Sequence, residues 1–134
     1  MKLPKNALVA VVDGTKLELF RNTGDEGAPT LTHQSAAKVD DSNKGSGGRH
    51  ASSSANPADH QQDEDGFAAG VAALLNTQAL DGRIDHLLVV AAPRTLGELR
   101  KHFHKALTEK LVGELAKDLT GADAQTIEKA VAAA

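Results

Sequence analysis

Lys110-Leu111-Val112-Gly113-Glu114-Leu115-Ala116-Lys117 is the stretch on which the fold turns. Two periods compete in it. Leu107, Leu111, Leu115 and Leu119 recur every four residues, the spacing of one helix face. Val112-Gly113-Glu114-Leu115 also fits a short strand, and Gly113 would cost a helix interior about 1 kcal/mol relative to Ala. The periodicity leaves both readings open.

The flanks are clearer. Downstream, Gly121-Ala122 is a break, and Asp123 is placed to cap a last helix through Ile127, Ala130 and Val131. Upstream, Thr95-Leu96-Gly97-Glu98 has the capping-box pattern, opening a helix with Leu96, Leu99, Phe103 and Leu107 on one face. Before it, His86 to Ala92 is an apolar run that Pro93 ends, which predicts a strand buried on both faces. Phe67, Gly70, Val71, Leu74 and Leu75 predict a helix from about Gln62 to Leu80, closed by Asp81-Gly82.

The chain opens with a second apolar run, Ala7 to Val12, followed by Asp13-Gly14, a two-residue hairpin signal. Lys16 to Arg21 is the returning strand. Asn22 to Pro29 is rich in turn formers. Thr30 to Lys38 reads as a third, more polar strand at or near an edge. Asp40 to Gln62 is Ser, Gly, Asn, Asp and His, with too few apolar residues to offset its ordering entropy, so a long mobile loop is expected at 40–62. If 110–117 is a strand, the order is β-β-β-α-β-α-β-α. That is the order of ribonuclease H-like α/β folds: one domain over 1–134, with a mixed five-stranded sheet and three helices.

Composition narrows the functions. The 134 residues suit one domain. There are three Phe and no Tyr or Trp, so an aromatic platform for nucleobases is not expected. The absence of Cys excludes thiolate chemistry and Cys-ligated zinc. A net charge of −3 gives no global attraction to nucleic acid or anionic membranes. The longest apolar runs, Ala7 to Val12 and Leu87 to Ala92, are far below the ~20 residues of a membrane span. The start Met1-Lys2-Leu3-Pro4-Lys5-Asn6 and the short run after it make a poor signal peptide, so a cytoplasmic protein without membrane insertion is expected.

Few residue sets point to chemistry. Asp13 ends a strand, as a nuclease carboxylate would, but the other buried strand ends in Ala91-Ala92-Pro93-Arg94, without an acid. Asp13 then reads as a turn residue. The histidines at 33, 50, 60, 86, 102 and 104 form no metal-ligand spacing, and neither a metal nor a cofactor is expected. Arg94, Arg100, Lys101, His104 and Lys105 cluster around a strand end and the helix after it. On one continuous helix, Arg100 with His104 and Lys101 with Lys105 would form adjacent cationic stripes. A helix start near Arg94 would add free backbone donors for a phosphate. The plainer reading of these residues is a solvated helix face. Lys44-Gly45-Ser46-Gly47-Gly48-Arg49-His50 is either a linker or a flexible anion wrap; it lacks the Gly-Lys-Ser/Thr ending of a Walker loop.

Ala92-Pro93-Arg94-Thr95-Leu96-Gly97-Glu98-Leu99-Arg100-Lys101-His102-Phe103-His104-Lys105 resembles a stretch of the bacterial family of proteins required for attachment to host cells. Val112 to Thr120, the Asp13-Gly14 strand end and the Ser/Gly/His-rich segment before Phe67-Ala68 fit it too. That family is similar to the central domain of archaeo-eukaryotic peptide chain release factors, in which a Gly-Gly-Gln loop follows the three-strand meander. Gly47-Gly48-Arg49 stands at the matching place. The resemblance implies a strand at 110–117. It implies either a non-enzymatic, attachment-associated protein acting indirectly from the cytoplasm, or a translation-linked domain that binds ribosome or tRNA. With Arg49 in place of the Gln, peptidyl-tRNA hydrolysis is not expected. The candidate anion- or RNA-binding residues are Gly47, Gly48, Arg49, Arg94, Arg100, Lys101, His104 and Lys105; no catalytic residue is named, and the oligomeric state is open.

Overall fold

Two apolar runs make the centre of the sheet. Strand β1 (Leu8–Val12) and strand β4 (Leu87–Ala91) are buried at every position and pair in parallel, Leu8 opposite Leu87 through Val12 opposite Ala91. Having apolar side chains on both faces, they belong where both faces are covered. In the computed structural model, residues 2–34, 39 and 57–134 are described, residues 57–62 by their backbone alone. Strand β2 (Leu17–Asn22) pairs antiparallel with β1, and the short β3 (Leu31–Gln34) pairs antiparallel with β2 at the edge. Strand β5 (Leu111–Leu115) runs parallel to β4, giving the order β3-β2-β1-β4-β5. The deciding stretch is thus a strand. The expected mixed five-stranded sheet is present.

Helix α1 (Pro57–Leu80), helix α2 (Pro93–Arg100) and the single turn α3 (Lys105–Thr108) cover one face, over Leu8, Ala10, Val12, Leu87, Val89 and Ala91. Helix α4 (Ala124–Ala133) covers the other, placing Ile127 and Val131 over Val9, Val11, Phe20, Leu88 and Val90. α1 closes as expected at Asp81-Gly82. Gly82 has φ +79°, its N–H donates to the Ala79 carbonyl, and the Arg83 N–H donates to that of Gln78, a Schellman end.

Several expectations shift. α1 begins at Pro57, so residues 57–62 are helical rather than loop; residues 40–56 of the expected mobile loop lie outside the described residues, as do 35–38 of the third strand. The central pair of the first hairpin is Gly14-Thr15, one residue on from Asp13-Gly14, because the Asp13 carboxylate grips the turn from outside. Its Oδ1 accepts from the N–H of Thr15 at 2.7 Å and of Lys16 at 2.6 Å. The bland reading of Asp13 is the observed one.

The capping box at Thr95-Glu98 does not form. The N-cap is Ala92, with Pro93 inside the first turn, where its missing N–H costs nothing. The helix from Thr95 does not run through Leu107 either. It stops at Arg100, and α3 follows as a separate turn, so the described residues hold four helices rather than three.

The Asp123 cap of α4 is present, its Oδ1 accepting from the Thr126 N–H at 2.8 Å. Hydrogen bonds from the Thr126 side chain and then its backbone, with Lys129 nearby, hold the Asp123 carboxyl below its ordinary value. A carboxyl depressed on folding stabilises the fold above its unfolded value, about 4, and that contribution is lost as pH falls further through the folded value. The Asp123→Asn variant keeps the acceptor oxygen without the charge. Its thermal midpoint is therefore expected to fall less than that of the wild type between pH 5 and pH 3, as read by circular dichroism. Equal falls would contradict this account of the cap.

Candidate functional site

The parallel pairing of β1 and β4 brings their carboxyl ends to the same end of the sheet, where the chain leaves as Asp13-Gly14 and as Ala92-Pro93-Arg94. α1 crosses this end beside Gly14: a Cβ built there would lie 2.7 Å from Glu64 Cγ and Cδ. Arg94, exposed in the first turn of α2, shares a shallow crevice with Glu64, Asp65, Ala68, Thr95 and Glu98. Its volume, about 10 Å³, is at the limit for one water, so it is not a ligand cavity. Arg94 makes no hydrogen bond or ion pair among the described residues. Its neighbours in the crevice include three carboxyl groups, which lowers the local potential for an anion. The open first turn of α2, without a side-chain cap, and the free guanidinium work the other way.

The remaining cations do not form the predicted stripes, because α2 ends before them. Arg100 is tied to Glu114 on β5: Nε donates to Oε1 at 3.0 Å and Oε2 at 3.2 Å, and Nη2 donates to Oε1 at 2.6 Å. Glu114 in turn raises the Arg100 pKa above its ordinary value, chiefly through these hydrogen bonds. Lys101 Nζ donates to Glu98 Oε1 at 3.0 Å, and His102 Nε2 lies 3.2 Å from Glu98 Oε2. The Lys101 hydrogen bond is the main influence that holds the Glu98 carboxyl low; burial opposes it and His102 reinforces it.

His104 and Lys105 begin α3, and their position is set by a residue the sequence reading overlooked. Asn76, buried on α1, donates from Nδ2 to the His102 carbonyl and accepts from the His104 N–H, both at 2.9 Å. An amide with both ends bonded to backbone holds the α2–α3 connection against α1. The available signal was a lone Asn next to Leu74-Leu75 in an apolar helix stripe. Twelve residues of helix separate Glu64 from Asn76, about 18 Å. Arg94 and His104 therefore lie toward opposite ends of α1. Of the eight candidates, Arg94 stands alone at the strand carboxyl ends; Arg100, Lys101, His104 and Lys105 lie along and below α2; Gly47, Gly48 and Arg49 lie outside the described residues. No group of three or more His, Asp or Glu able to hold a metal occurs among the described residues, and no helix there is long and apolar enough to cross a membrane.

The model of bacterial archaeo-eukaryotic release factor family 12 matches residues 6–131. No curated protein matches the chain. The match supports the release-factor side of the sequence resemblance and gives no support to the host-attachment name. It spans every strand, from β1 at one end to most of α4 at the other, and so takes in the whole sheet rather than a local motif. This chain belongs to bacterial archaeo-eukaryotic release factor family 12.

Proposed function

We propose that the domain makes a non-hydrolytic contact with the translation machinery, through ribosomal RNA or tRNA, at the end of the sheet that carries Arg94, with Gly47-Gly48-Arg49 contributing. Family membership over residues 6–131 is the observation that carries this reading. The course of α1 supports the location. Seven residues of helix precede Glu64, so Pro57 lies about 10 Å beyond it along the axis, past the carboxyl ends of β1 and β4. Arg49 precedes Pro57 by eight residues, at most about 27 Å of chain, which is enough to reach Arg94.

Arg49 is poorly suited to the hydrolytic role of the Gln. A Gln side chain offers both an acceptor and donors for placing a water, whereas Arg49 offers donors and a fixed positive charge. That charge suits a phosphate, and its planar fork binds two phosphate oxygens at once. The carboxyl groups of Glu64, Asp65 and Glu98 around Arg94 make the contact modest and sensitive to salt.

Arg49→Ala and Arg94→Ala are each expected to weaken ribosome or tRNA binding several-fold. Each should also reduce the slope of log affinity against log salt by about one. Binding unchanged in both variants would remove this surface from the function.

A further inference from the structure

A second feature lies between the α2–α3 connection and the outer side of β5. It is a groove of about 450 Å³, lined by Arg100, Phe103, Leu111, Val112, Gly113 and Glu114 among others. Its volume is within the range of small-molecule sites, and its walls are mainly apolar. The three hydrogen bonds to Glu114 fix the plane of the Arg100 guanidinium, while 56% of the side chain stays exposed. A flat, weakly hydrated cation held rigid in this way is a stacking surface for a planar ring. Phe103, half-buried, adds an aromatic wall.

The flanking charge is mixed: Lys101 is paired with Glu98 and Arg100 with Glu114, while Lys105 makes no ion pair among the described residues. Lys101 and Lys105, both exposed, sit two residues either side of Phe103, with exposed His102 and His104 between. The sheet ends at β5, so its outer main-chain groups have no partner strand among the described residues. Addition of a peptide strand fits the groove less well. Val112 and Gly113 together oppose Leu88 in a bulge, which interrupts the regular ladder a new strand would need.

We propose that this groove holds an unpaired base of single-stranded RNA, stacked on the Arg100 guanidinium, with an adjacent phosphate met by Lys105. The inference rests on the RNA-contact reading above but uses a different surface. The scarcity of aromatics does not preclude it, because a guanidinium clamped flat supplies the plane that Tyr or Trp would otherwise give.

The test is fluorescence anisotropy of a labelled eight-nucleotide single-stranded RNA with the whole chain, as wild type, Arg100→Lys, Phe103→Leu and Lys105→Ala. Circular dichroism confirms that each variant is folded. Arg100→Lys keeps the charge and loses the plane; it should weaken binding about tenfold, the size of one lost stack, with the salt slope unchanged. Phe103→Leu should weaken it less, and Lys105→Ala should lower the salt slope by about one. Wild-type affinity in Arg100→Lys, or equal affinity for a double-stranded RNA of the same length, would overturn the proposal. Wild type that sediments with ribosomes but leaves the oligonucleotide free would overturn the groove alone. Loss of ribosome binding in Arg94→Ala with none in Arg100→Lys would do the same.

Discussion

Asn22→Leu is expected to lower the unfolding free energy by about 3 kcal/mol or more, although the two side chains have the same number of heavy atoms and the same branching at Cγ. Asn22 is fully buried at the end of β2, and its amide ties three segments together. Nδ2 donates to the carbonyls of Leu3 at 2.9 Å, Pro4 at 3.2 Å and Asp25 at 3.4 Å. Oδ1 accepts from the N–H groups of Gly24 at 2.9 Å and Thr30 at 3.1 Å. Leu would leave those backbone groups without partners in a dry site, each costing about 1–3 kcal/mol before the loop relaxes. Asn22→Asp keeps the accepting oxygen but sets a second one against the Leu3 and Pro4 carbonyls, so it is expected to lose stability as well. With no Trp or Tyr for fluorescence, urea unfolding is followed by far-ultraviolet circular dichroism. A loss under about 1 kcal/mol for Asn22→Leu would show that these bonds are replaced by water at little cost.

Leu88→Ala is the second large effect, about 3 kcal/mol. Leu88 lies on β4 between Val9 and Gly113, facing α4, and is fully buried. That face is covered, among the described residues, by one ten-residue helix anchored through Ile127 and Val131. Glu128 adds a polar tie, its Oε2 accepting from the Leu31 N–H of the edge strand at 2.7 Å. A cavity under so short a helix is relieved partly by local release of α4. The urea dependence should then weaken along with the midpoint, since less surface remains to be exposed on unfolding. A loss below about 1 kcal/mol would mean that α4 does not close this face.

Where one physical rule dominated, the sequence was readable. β1 and β4 were visible as continuous apolar runs, since a strand buried on both faces has no polar period to obscure it. The α1 end was visible in Asp81-Gly82, because the left-handed conformation at Gly82 favours glycine. β5 was not readable from periodicity alone. Its bulge sets Val112 and Gly113 against a single Leu88, breaking the alternation that marks a strand, while its leucines kept a helical interval by coincidence. The α2 start was misread because Thr95 and Glu98 fit a local pattern, yet Pro93 was better suited to the first turn and Glu98 found Lys101 and His102.

The site was less legible than the fold for the same reason. The cationic stripes assumed one continuous helix from Thr95 to Leu107, and the break after Arg100 moved every charge beyond it. Arg100 was read as a free cation, whereas Glu114, fourteen residues on, takes it up from strand β5. Asn76 escaped notice because its partners are backbone groups twenty-six and twenty-eight residues away, which no local pattern reveals.

The central claim is that this release-factor-family domain contacts the translation machinery through RNA. Sedimentation of the purified wild-type chain with ribosomes through a sucrose cushion, at low and rising salt, tests it most directly. The expected result is co-sedimentation at low salt that declines linearly in log affinity against log salt, as phosphate contacts require. A chain that stays in the supernatant at the lowest salt would contradict the account.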